Sequence, residues 1–242
     1  MRTEMLFMKD CYLKEFEAKV LERGSEKGRD FVVLDRTAFC PSGGGQPSDK
    51  GTLNGVKIFE VRKDSGVIKH FLEKPIDSEN VHGVLEWDRR YAFMRMHSAQ
   101  HILSGIMLDK WVALTTGNQI DSEKSFTDFQ FSNPPEDLEE FLTKSFNECI
   151  DREIPVKIHI TTREEALKAT NERRRNLFSR VPESVKEIRI VEIGGVDKVP
   201  CAGTHVSNTK EIGHINIIKI EDKGNETLRV RFKLEGCPDR AS

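Results

Sequence analysis

Four side chains stand out for their type and spacing. His97-Ser98-Ala99-Gln100-His101 sets two imidazoles four residues apart, and Cys201-Ala202-Gly203-Thr204-His205 repeats the spacing with a thiol and an imidazole. On a helix, residues four apart share a face about one turn apart. Two ring nitrogens so placed can reach one ion at about 2.0–2.1 Å. One Cys and three His make a soft, nitrogen-rich donor set that suits Zn2+ better than Mg2+ or Ca2+. Either pair alone is a weak signal, more often structural than not. Two matched pairs flanked by small residues, in a chain with only seven His and five Cys, point to one site for one Zn2+ per chain. The motif lacks the Glu of His-Glu-x-x-His, so peptidase chemistry fits poorly. Four protein ligands would normally close the shell, and a catalytic site needs one of them displaced or weak. His70, His82, His159 and His214, and Cys11, Cys40, Cys149 and Cys237, have no matched partner and read as core or surface residues.

The second signal is Phe39-Cys40-Pro41-Ser42-Gly43-Gly44-Gly45-Gln46-Pro47-Ser48-Asp49-Lys50-Gly51. Gly43, Gly44 and Gly45 permit positive φ and a close backbone approach to a ligand. The stretch has neither the Gly-Lys-Ser/Thr of a phosphate loop nor the G-x-G-x-x-G of a dinucleotide fold. It reads either as a plain barrel turn or as a loop over a substrate, with Gln46 offering a donor and an acceptor.

The elements that must position these residues fall into two groups. Residues 1–88 read as β: short segments at 15–21, 31–35, 56–61 and 67–72 are punctuated by Gly28, Asn54-Gly55 and Asp64-Ser65-Gly66, which suggests a small barrel. From residue 89 the pattern changes. A helix is expected over 89–109 with Asp88 as N-cap, strands around Gly117, and a second helix after Pro134-Pro135. A strand over 154–160 precedes a third helix, opened by the capping box Thr162-x-x-Glu165 and reaching about Arg175. A strand over 187–193 and a hairpin over 215–234 complete an α+β domain spanning 89–242, with helices on a mainly antiparallel sheet.

The chain has 242 residues, 38 Lys+Arg against 40 Asp+Glu, and a formal charge of -2. That balance argues against binding nucleic acid by bulk charge, though not against a local basic face. The scattered, odd-numbered cysteines do not form a disulfide framework. With no apolar run long enough for a membrane span and no signal-peptide pattern, the expected location is the cytoplasm.

Taken together, the motifs resemble those of the alanyl-tRNA editing proteins, the AlaX family, and the editing region of alanyl-tRNA synthetase. Phe39–Gln46 with Asp49-Lys50-Gly51 resembles the family's glycine-rich barrel motif; the 97–101 and 201–205 motifs, followed by Ile212-Gly213-His214-Ile215, resemble its zinc motifs. The likeness covers nearly the whole chain. Gln100 stands where the synthetase motif typically has Thr, and Ala202 where Gly is common; both leave the ligands intact. The resemblance implies a medium, barrel-containing trans-editing enzyme with a zinc centre. Its expected reaction is hydrolysis of the ester on mischarged alanine tRNA, chiefly Ser-tRNA(Ala) with Gly-tRNA(Ala) as a second substrate. It would grip the tRNA(Ala) acceptor end without ATP. The rivals are editing of another mischarged tRNA, of threonyl type, and a non-catalytic zinc-stabilised RNA-binding module.

Serine differs from alanine by a hydroxyl. An apolar pocket rejects such an isostere only about 10²-fold, whereas a site that hydrogen-bonds the hydroxyl can discriminate by ~10⁴–10⁵. Thr115, Thr116 and Asn118 are the candidates for that contact. Gln46, Gln100 and Thr116 are the expected catalytic side chains, and Gly43–Gly45, Thr115, Asn118 and Arg174 the expected substrate contacts. Arg174 lies in a basic stretch with Arg163, Lys168, Arg173, Arg175 and Arg180, which reads as a solvated helix face or a phosphate contact, as do Arg89, Arg90 and Arg95.

Overall fold

The computed structural model describes residues 3–183 and 185–236. Cys237 and the side chain of Arg180 lie outside the described set. The chain divides into two compact units, Met1–Phe93 and Met94–Ser242.

In the first unit, β1 (Glu4–Met5) precedes β2 (Glu15–Glu26), β3 (Arg29–Leu34), β4 (Arg36–Thr37), β5 (Gly51–Leu53), β6 (Val56–Asp64), β7 (Val67–Leu72) and β8 (Asn80–Leu85). Six of them close a barrel in the order β2-β3-β7-β6-β5-β8, and β1 pairs with β4. Closure leaves no open sheet edge. Three of its hairpins turn on two residues with positive φ: Lys27-Gly28, Asn54-Gly55 and Ser65-Gly66. These are the turns whose twist matches the flanking strands. The barrel fills with alternate side chains such as Phe16, Val32, Leu34, Phe39, Leu53, Val61 and Ile68. The sequence missed β5 and β8. β5 has only three residues, and β8 is broken by Gly83, a residue that weakens strand patterns.

Helix α1 (Trp87–Trp111) follows. Asp88 sits within its first turn rather than at its cap. The second unit continues with β9 (Leu114–Gln119), β10 (Ser125–Gln130), α2 (Leu138–Asp151), β11 (Val156–Thr162), α3 (Arg163–Ala169), β12 (Glu187–Ile193), β13 (Asp197–Pro200), β14 (Ile215–Asp222) and β15 (Thr227–Leu234). One antiparallel sheet runs β14-β15-β10-β9 and a second β11-β12-β13. The α+β expectation holds. The capping box at Thr162 and Glu165 forms. The third helix stops at Ala169, however, not near Arg175: Thr170 is extended, and Asn171 caps a separate 3-10 helix over Glu172–Arg180 by accepting from Arg173 N–H. Asn caps compete with helix continuation in this way. Among the described residues no helix is long and apolar enough to cross a membrane.

Candidate metal centre

Helix geometry brings His97 and His101 to one face of α1, with ring centroids 5.2 Å apart. The strand β13 ends at Pro200, and the turn that follows carries Cys201 and His205. Arg189 of β12 braces that turn: its Nη1 donates to the carbonyls of Cys201 at 2.7 Å and Gly203 at 2.9 Å. The four ligand atoms all lie within 4.8 Å of one another. Cys201 Sγ is 3.6 Å from His97 Nε2 and 3.3 Å from His205 Nε2. A tetrahedral zinc with ordinary Zn–S and Zn–N bonds sets sulfur and nitrogen about 3.5 Å apart, so the donors are spaced to hold one metal ion.

Three of the ligands are also held from behind. His101 Nδ1–H donates to Asp197 Oδ2 at 2.9 Å, which turns its Nε2 to the cluster. Asp197 Oδ1 accepts from Arg174 Nη1 at 2.6 Å. His205 Nδ1 meets Ser98 Oγ at 3.2 Å, and Gly203 N–H donates to Cys201 Sγ at 3.4 Å. Outer partners of this kind fix the imidazole tautomer and raise ligand basicity. Burial pushes the Cys201 thiol up, but the charges of His97 and His205 outweigh it and leave the thiol well below its ordinary value. Burial, with His97 adding to it, takes His205 well below its ordinary range. Burial opposes charge on His101 too, yet Asp197 and Cys201 overcome it and push that imidazole up to about 9. A thiol held toward its thiolate form is what a metal ligand requires.

The same helix face carries a polar chain. Gln100 is buried, and its Nε2 donates to Ser104 Oγ at 2.7 Å; Ser104 Oγ in turn meets Thr115 Oγ1 at 2.7 Å. A bulge in β9 decides which neighbours join it. Thr115 pairs with Phe129 and Asn118 with Thr127, and both partners are on the buried face of β10. Thr116 is the extra residue, unpaired in the ladder and exposed. A bulge re-aims side chains in this way: here Thr115 and Asn118 share the inner face.

Several expected residues sit in surroundings that the sequence does not suggest. Arg174 is not on a solvated basic face: it is 8% exposed and committed to Asp197. Arg90 is fully buried on Asp49 and the carbonyls of Cys11 and Ala38, and Arg95, half-buried, is bonded to the carbonyls of Ile212, Glu235 and Gly236. Gln46 is 2% exposed in the barrel unit, and its backbone closes a two-residue turn with Gly43, both bonds at 3.0 Å. Gly44 and Gly45 supply the positive φ that turn demands. Sequence reasoning missed Asp197, Ser98, Ser104 and Arg189. Ser98 lies inside the 97–101 motif, Ser104 three residues beyond it and Asp197 four residues before Cys201, but none is a His or Cys, and Arg189 lies near no motif.

Alanyl-tRNA editing protein AlaX-M of Methanosarcina barkeri is 40% identical over 248 aligned positions, covering 96% of this chain and 99% of that protein. The chain belongs to the alanyl-tRNA editing protein family, AlaX. Alanyl-tRNA editing protein AlaX-L of Pyrococcus horikoshii is 35% identical over 95% of this chain, which spans 57% of that longer protein. The alanine–tRNA ligase of Ignicoccus hospitalis is 35% identical over 95% of the chain and 26% of the ligase. Residues 188–231 match the family described as the threonyl and alanyl tRNA synthetase second additional domain. In this AlaX member that segment holds β13, Cys201 and His205.

Proposed function

We propose that this protein is a trans-acting aminoacyl-tRNA deacylase that hydrolyses the ester on mischarged tRNA(Ala), chiefly Ser-tRNA(Ala) and secondarily Gly-tRNA(Ala). The observation that carries the reading is the convergence of His97, His101, Cys201 and His205, backed by Asp197, on the helix that also bears the Gln100–Ser104 chain to Thr115. Zn2+ in that cluster supplies Lewis acidity and an anchor for the aminoacyl group. The chain's own residues do the rest. Asp197 and Arg174 fix the His101 ring. Thr115 and Asn118 receive the serine hydroxyl, and alanine, which lacks it, gains no such contact; that difference protects the correctly charged tRNA. Gln100 holds Ser104, and through it the Thr115 hydroxyl, in place. The reaction belongs to the cytoplasm, where charged tRNA is used, and consumes water but no ATP.

The test is deacylation of Ser-, Gly- and Ala-tRNA(Ala) by the purified protein. The expected order is serine fastest, glycine slower and alanine spared; equal rates, or none, would contradict the reading. A second reading, a non-catalytic zinc-stabilised RNA-binding module, rests on the presence of four protein ligands, and it predicts tRNA binding with no hydrolysis.

A further inference from the structure

Most of the cations expected to hold tRNA are buried, bonded to backbone carbonyls or set in local i,i+3 and i,i+4 pairs. Besides Arg90, Arg95 and Arg174, Arg163 donates to the carbonyls of Val181 and Pro182, Lys168 pairs with Glu164, and Arg175 with Glu172. A different set lies on the β14-β15-β10-β9 sheet. The register puts Arg229, Arg231 and Lys233 of β15, Lys219 and Glu221 of β14, and Phe126 and Asp128 of β10 on one face. No residue of that face is buried, while the alternate residues Leu228, Val230, Phe232 and Leu234 are buried on the other. Four cations stand there against two carboxylates, in a chain whose formal charge is -2.

The arrangement is organised as well as basic. Arg229 is clamped by two bonds to Asp128, at 2.7 and 2.8 Å, with its guanidinium 3.6 Å from the centre of the Phe126 ring. The Arg229 side chain, stacked on that ring, keeps 20% of its surface exposed. Arg231 bonds to Glu221 at 2.6 Å and remains 39% exposed, and Lys219, at 3.2 Å from the same carboxylate, remains 64% exposed. Lys233 has no carboxylate partner among the described residues. Alternate residues of a strand recur about every 6.6 Å, so the three cations form a row. Nucleic-acid surfaces combine such rows with stacking platforms, arginine planes included.

We infer that this open sheet face is an RNA-docking surface. Resting on the tRNA reading above, it holds the tRNA body by phosphate contacts to Arg231, Lys233 and Lys219 and by stacking on the Arg229–Phe126 pair. The linear sequence hides it because the cations alternate with apolar residues.

The test is fluorescence anisotropy of uncharged tRNA(Ala) against salt, with wild type, Arg231→Gln/Lys233→Gln and Lys219→Gln/Lys233→Gln. Removing two phosphate contacts lowers the slope of log K against log salt by about 1.5 and raises Kd roughly 10-fold. The variants should keep the wild-type thermal midpoint and metal content; for Ser-tRNA(Ala), KM rises and kcat stays. Unchanged slope and Kd in both folded variants would overturn the docking surface, as would binding of an acidic protein there in place of RNA. Wild-type hydrolysis with an unchanged variant slope leaves the deacylase reading standing and removes this one; salt-dependent, variant-sensitive binding without hydrolysis does the reverse.

Discussion

The 97–101 and 201–205 motifs and the Gly43–Gln46 turn are all short, rich in small residues and conspicuous, yet they fold to different ends. In the second unit, four side chains converge until their ligand atoms lie within 4.8 Å, and a carboxylate, a hydroxyl and a backbone amide stand behind them. In the barrel unit, the glycines satisfy backbone conformation: Gly44 and Gly45 take positive φ, and the Gln46 side chain is buried. Convergence of side chains from distant segments marks chemistry, whereas a run of glycines marks first a turn. The pair can be separated by experiment.

The largest effect belongs to the cluster. Cys201→Ser should cost about 10³-fold in deacylation, because several kcal/mol of stabilisation leave with the ion; rate and bound metal measured together check this. In the barrel unit the largest effect is one of stability. His70 is buried, its Nδ1 facing Val32 O at 3.2 Å and its Nε2 facing Thr37 Oγ1 at 2.8 Å, and burial takes its pKa down from 6.5 to about 4. Its folded value is depressed, so its contribution is full above pH 6.5 and is lost as pH falls toward about 4. The loss reaches about 3 kcal/mol. Urea unfolding across that range should show it, and His70→Gln should flatten the slope. Asp197→Asn comes next. Loosening the His101 ring lowers metal affinity about 10- to 100-fold, read by competition with a chromophoric chelator; an unchanged affinity would reduce Asp197 to packing. Smallest is Gly44→Ala. Its φ is +58° and no atom lies within 4 Å of the added carbon, so the cost is conformational alone, about 1 kcal/mol. Thermal melts measure it, with deacylation unchanged; a large loss of activity would make the turn part of the site.

What the sequence made legible follows from local geometry. A spacing of four on a helix fixes His97 against His101, two-residue glycine turns fix the hairpins, and Thr162 with Glu165 fixes a helix start. What stayed hidden depends on distant pairing. Asp197 backs His101 across 96 residues of chain. Arg174 reads as surface from a basic run, and only the fold turns it toward Asp197. The β9 bulge separates Thr116 from Thr115 and Asn118, which composition cannot distinguish.

The most direct measurement is a zinc titration of protein stripped by a chelator, with the initial rate of Ser-tRNA(Ala) deacylation as readout. The expected rate rises from near zero and levels off at one equivalent per chain, with Ala-tRNA(Ala) spared throughout. Stripped protein that hydrolyses Ser-tRNA(Ala) as fast as the loaded form would contradict it.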